Sequence, residues 1–69
     1  MEEKDIRKAF VFLDNLRESG SVNMFHGARH VMTELGYDYQ TSRMLAFQWM
    51  STFDSKKTID ERIEEAKEI

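Results

Sequence analysis

Apolar residues recur at three- and four-residue intervals through three separate stretches of this chain. A period near 3.6 commits each stretch to an amphipathic helix. In the first, about residues 3–18, Ile6, Ala9, Phe10, Leu13 and Leu16 form one stripe. Phe12 lies at its edge and Val11 nearly opposite. The second, about 24–35, carries Met24, Phe25, Ala28, Val31, Met32 and Leu35 on one face. The third, about 39–53, aligns Ser42, Leu45, Ala46, Trp49, Met50 and Phe53, with small residues where another helix can approach closely.

The punctuation between the stripes agrees with the period. Gly20 and Gly36 stand just past two of the helix ends, where a left-handed residue closes the last turn at little cost to glycine. Asn23 and Asp38 stand where a side-chain oxygen can accept from an unpaired first-turn amide. Tyr37 is placed to fold back onto the last turn of the second helix. Thr58-Ile59-Asp60-Glu61 reads as a capping box opening a fourth helix, about 58–68. Its stripe is narrow: Ile59, Ile63 and Ala66, with Ile69 at the margin. Glu61–Glu65 and Glu64–Glu68 repel one turn apart, so this helix is expected to be the least stable and to fray at its C-terminal end.

The fold class is therefore all-α, one domain over residues 1–69. A compact three-helix core gathers around Phe10, Leu13, Phe25, Val31, Leu35, Leu45, Trp49 and Phe53. The charged C-terminal fourth helix either packs across that core or supports a dimer. With 69 residues and no cysteine, no disulfide or thiolate metal site can staple the fold. Dense helix packing or self-association must supply the stability instead.

Charge and hydropathy restrict the setting. No apolar run approaches the ~20 residues of a membrane span. The opening Met1-Glu2-Glu3-Lys4-Asp5 lacks the basic-then-apolar order of a signal peptide, so a cytoplasmic protein away from membranes is expected. The net charge of −3 and the dispersed Lys and Arg weigh against a nucleic-acid partner.

Few constellations carry chemistry. His26, His30 and Glu34 lie one turn apart on the second helix and could supply three metal ligands. The metalloprotease pattern needs a glutamate directly after the first histidine, where Gly27 stands, and the sequence nominates no fourth ligand. A solvated polar face, with no metal, is the expectation. The five serines lack the flanking motif of a hydrolase nucleophile. Gly20, Gly27 and Gly36 are too dispersed for a phosphate-cradling loop. The reading is no catalytic residues, no cofactor and no enzyme.

Three resemblances are visible. Residues Val31 to Ser42, with Leu35-Gly36 before a capped helix, resemble the turn of a helix-turn-helix domain. That likeness implies DNA contacts from Gln40, Thr41 and Arg43, although Met32 and Ser42 depart from the motif's small and aliphatic positions. Leu35-Gly36-Tyr37 followed by Ser42, Leu45 and Ala46 is also similar in outline to ubiquitin-associated domains, with Leu35 replacing their methionine. That likeness covers about twenty residues and implies a three-helix core. A third covers more of the chain: Phe12 to Gly20, Val22 to Phe25, Leu35-Gly36 and Trp49 to Phe53 look like small helical proteins encoded by bacteriophages. It implies an accessory protein acting in the cytoplasm of an infected host, and it assigns no site residues.

What remains is apolar surface. Val11, Phe12, Met44, Phe47 and Tyr39 do not all fit on the core-facing stripes. Aromatic and Met patches of this kind mark protein contacts. The sequence thus points to a protein-interaction module that binds a protein partner, such as a host protein, or itself as a homodimer. Met44 and Phe47 are its anchors, and Val11 and Phe12 the next candidates. A helix-turn-helix-like DNA-binding regulator is the alternative.

Overall fold

The computed structural model describes residues 2–20 and 26–68. Four helices follow in order: α1 (Glu3–Ser19), α2 (Gly27–Leu35), α3 (Tyr39–Thr52) and α4 (Ile59–Lys67). Among the described residues there is no strand, and the fold is all-α. The cap expected at Asn23, the core positions of Met24 and Phe25 and the margin at Ile69 lie outside the described residues.

Local signals close each helix as the residues dictate. Gly20 and Gly36 adopt φ of 66° and 82°, left-handed values that L side chains rarely reach. Their amides donate to Arg17 and Met32 carbonyls, which closes the last turns of α1 and α2. Asp38 accepts the Thr41 amide at 2.8 Å and opens α3. At α4 both halves of the capping box form between Thr58 and Glu61.

α1 and α3 form the central pair, each touching the other three helices, while α2 and α4 flank them and barely meet. The core joins Ile6, Ala9, Phe10 and Leu13 of α1 to Val31 of α2 and to Leu45 and Trp49 of α3. α4 completes it with Ile63 and Ala66, both almost wholly buried. The fourth helix thus packs on its own core, which is built by four helices rather than three. Leu35 and Phe53, expected at the centre, are partly buried against it, as are Phe12, Leu16, Tyr37 and Ile59. Tyr37 reaches across to α1, where its hydroxyl donates to Asp5 at 2.7 Å. The carboxylate raises the phenol's pKa, since it accepts only from the protonated form.

Two positions correct the stripe drawn for α3. Met50, placed on the core face by its spacing, is 53% exposed, while Gln48 and Thr52 are buried. The buried arc runs from Gln48 through Leu45 and Trp49 to Ala46, about 160° at 100° per residue. It is displaced from the apolar stripe because α4 docks on the Gln48 side. Gln48 donates weakly to the Ala66 carbonyl at 3.5 Å, and Thr52 bonds back to the Gln48 carbonyl at 2.8 Å.

What seats α4 is a buried cation. Arg62 flanks the narrow Ile59–Ile63–Ala66 stripe and is only 4% exposed. Its two terminal nitrogens donate to the Asp14 oxygens of α1 at 2.9 and 3.1 Å, a bidentate pair. Trp49 Nε1 adds a third donor to Asp14 at 2.8 Å. The guanidinium lies over the Phe10 and Phe53 rings, 5.4 and 5.1 Å from their centroids. Exposed pairs Arg7–Asp60 at 2.6 Å and Lys67–Glu3 at 2.5 Å tie the same two helices, each worth little alone. The glutamates expected to repel along α4 find partners: Glu65 with Lys57, Glu64 with Lys67, and Glu61 in the cap.

The two partners of the buried pair should respond unequally. Asp14→Ala leaves Arg62 buried and uncompensated, which costs about 3–5 kcal/mol, much of what a 69-residue domain has. In Arg62→Met the methionine fills the space between two rings, and Asp14, one-third exposed, turns to water. Urea unfolding should therefore rank Asp14→Ala well below Arg62→Met. Acid should weaken the fold as well. Glu3 titrates below its usual value through the hydrogen bond from Lys67, and Asp38 through those from the Thr41 hydroxyl and amide. A carboxylate with a depressed folded pKa stabilises fully above its unfolded value and loses this as pH falls through the folded one. Melting temperatures should hold down to about pH 4 and decline below it.

Candidate functional site

The arc of α3 that α1, α2 and α4 leave uncovered presents Tyr39, Gln40, Arg43, Met44, Phe47, Met50 and Ser51. Four of these are large and apolar or aromatic, with Phe47 at 59% and Tyr39 at 57% the most exposed. Gln40, Arg43, Met44 and Phe47 line an open hollow of about 310 Å³. Beside it the Arg43 guanidinium stands over the Tyr39 ring at 5.7 Å.

This surface is unusual in its charge. Thirteen acidic residues occur in the sequence and none falls within α3, whose single charged residue is Arg43. Helix faces left to water in so charged a chain normally carry both signs. Apolar side chains that are neither buried nor interrupted by carboxylates form a surface suited to packing against another apolar surface.

Residues assigned to two different functions meet here. Met44 and Phe47, proposed as protein anchors, share the hollow with Gln40 and Arg43, proposed for a DNA groove. Thr41 does not join them: it is half-buried, and its amide is engaged with Asp38. Val11 is 45% exposed on α1 but does not line the hollow. Phe12 is partly buried against the core. Met50 and Tyr39 belong to the exposed face beside them. The period alone concealed Met50, yet Gln48 and Thr52 on the opposite side, together with the absence of acids, mark the same face in the sequence.

A second concavity, about 220 Å³, opens where α1 ends beside the link from α3 to α4. Asp14, Arg17, Glu18, Asp54, Lys57 and Arg62 give it three charges of each sign. Several are already engaged: Asp14 with Arg62 and Trp49, Lys57 with Glu65, and Asp54 with the Lys56 amide at 2.9 Å. Arg17 stacks on Phe53 at 4.5 Å. Asp14, Lys57 and Arg62 are thereby committed to seating α4.

His26 precedes α2 and is exposed, His30 is half-buried, and Glu34 is exposed near the helix end. Among the described residues no group of three or more His, Cys, Asp or Glu is placed to hold a metal ion. No helix there is long and apolar enough to cross a membrane. Between α2 and α3 only residues 36–38 intervene, and Ser42 is fully buried, its hydroxyl 3.5 Å from the Tyr37 carbonyl. Compared with protein-family models, curated proteins and solved structures, the chain finds no match.

Proposed function

We propose that this chain is a non-enzymatic protein-interaction module, a small accessory or regulatory protein that works through the outer face of α3. Met44 and Phe47 are its anchors, with Met50 and Tyr39 beside them. One observation carries the reading: large apolar side chains stand exposed along one helix that bears no acid. Contact surfaces concentrate binding energy in aromatic and Met side chains of this kind, with charges kept to the rim. The likeness to bacteriophage-encoded helical proteins extends the reading to an accessory protein acting on a host protein in the cytoplasm.

DNA recognition through Gln40 and Arg43 has less support. A duplex-binding face gains most of its affinity from several phosphate contacts, and α3 offers one cation.

The test is a pull-down from the native host with the full chain and its Met44→Ala/Phe47→Ala variant. Both side chains are about half exposed or more, so each replacement should cost no more than about 0.5 kcal/mol, the usual range for surface positions. Circular dichroism should stay helical, while capture of the partner falls at least about tenfold, as loss of central anchors does. Undiminished capture would remove the α3 face from the account. A low-salt gel shift that fades with salt and with Arg43→Ala would instead assign the face to nucleic acid.

A further inference from the structure

We propose that Met44 and Met50 form an oxidation site on the outer face of α3, and that turning their thioethers into sulfoxides switches that face off as a contact. The inference rests on the reading of that face as a protein contact and adds its regulation.

Sulfur stands where an oxidant reaches it. The chain has no cysteine, so its softest nucleophiles are the thioethers of methionine. Met44 is 47% exposed and Met50 53%, whereas Met32 of α2 is half-buried. Trp49, the one indole, is buried. Among the described residues no methionine belongs to the core or packs against it. Oxidising a methionine inside a core disrupts the fold. Here the exposed sulfurs project from the outer face of the regular helix Tyr39–Thr52, so the same chemistry alters the surface and spares the core.

Their positions concentrate the effect. Met44 precedes Phe47 by three residues and Met50 follows it by three, so both are its neighbours on the helix surface. Met44 also shares the hollow with Gln40, Arg43 and Phe47. Half of the large exposed side chains of this face are therefore thioethers, set on either side of its most exposed ring. A sulfoxide replaces each apolar sulfur by a polar group that must shed water before it docks.

The step needs only a peroxide. The sulfur lone pair attacks one oxygen of hydrogen peroxide, the O–O bond breaks and an S–O bond forms. Sulfur gives up two electrons, and the second oxygen leaves as water with both hydrogens. A methionine sulfoxide reductase with a thiol reductant reverses the change.

The test treats the full chain with dilute hydrogen peroxide and reads each methionine by peptide mass spectrometry. Met44 and Met50 should oxidise several-fold faster than Met32, with helical circular dichroism unchanged. Capture of the host protein should fall at least about tenfold, and methionine sulfoxide reductase should restore it. A second readout needs no partner. The oxidised chain should leave a hydrophobic-interaction column earlier, whereas Met44→Leu/Met50→Leu should move little on the same treatment. Met32 oxidising as fast as the exposed pair, helix lost on oxidation, or a double-leucine chain that shifts as far as the native one overturns the inference. Should the oxidised chain keep its capture while Met44→Ala/Phe47→Ala loses it, the switch falls and the protein-contact reading stands. If capture is indifferent to both, both fall.

Discussion

The bidentate pair between Arg62 and Asp14 organises this molecule. α4 has only Ile59, Ile63 and Ala66 to offer a core, an apolar stripe too slim to choose its own seat. The guanidinium supplies the choice. It is buried where a carboxylate, an indole N–H sharing that carboxylate and two aromatic rings coincide, a place built by Asp14 and Phe10 of α1, Trp49 of α3 and Phe53 just beyond it. Buried ion pairs add little net stability over well-packed apolar residues, but breaking one is costly. Their value here is in position.

That position has a consequence on the far side of α3. With α4 seated against Gln48, the buried arc of α3 is displaced, and Met50 turns outward with Met44 and Phe47. Had α4 covered the Met50 side instead, Gln48 and Thr52 would face water. The exposed apolar strip is thus tied to a contact made on the opposite side of the same helix. Core and surface share one cause.

Most of the fold was legible because its signals are local. Gly20, Gly36, Asp38 and the Thr58–Glu61 box act within a turn of the helix ends they mark, and each acts as its residue type dictates. Phe10, Leu13, Val31, Leu45 and Trp49 are buried as their spacing requires. What escaped was long-range and polar. Arg62 and Asp14 are 48 residues apart, and periodicity in apolar residues is blind to a cation completing a stripe, although Arg62 fills the i+3 place after Ile59. Met50 was misplaced for the same reason, since its exposure depends on where α4 lands. At the candidate site, Met44 and Phe47 could be found because they lie off every stripe. That Gln40 and Arg43 share their hollow required the folded helix.

The central claim is that the Arg62 contact makes α4 part of one cooperative core rather than a charged appendage. Native-state hydrogen exchange resolves this residue by residue. If the claim holds, the amides of Ile63 and Ala66 exchange with the same opening free energy as those of Leu13 and Leu45, at the global limit. Exchange of α4 at a markedly lower free energy, while α1 and α3 stay protected, would contradict it.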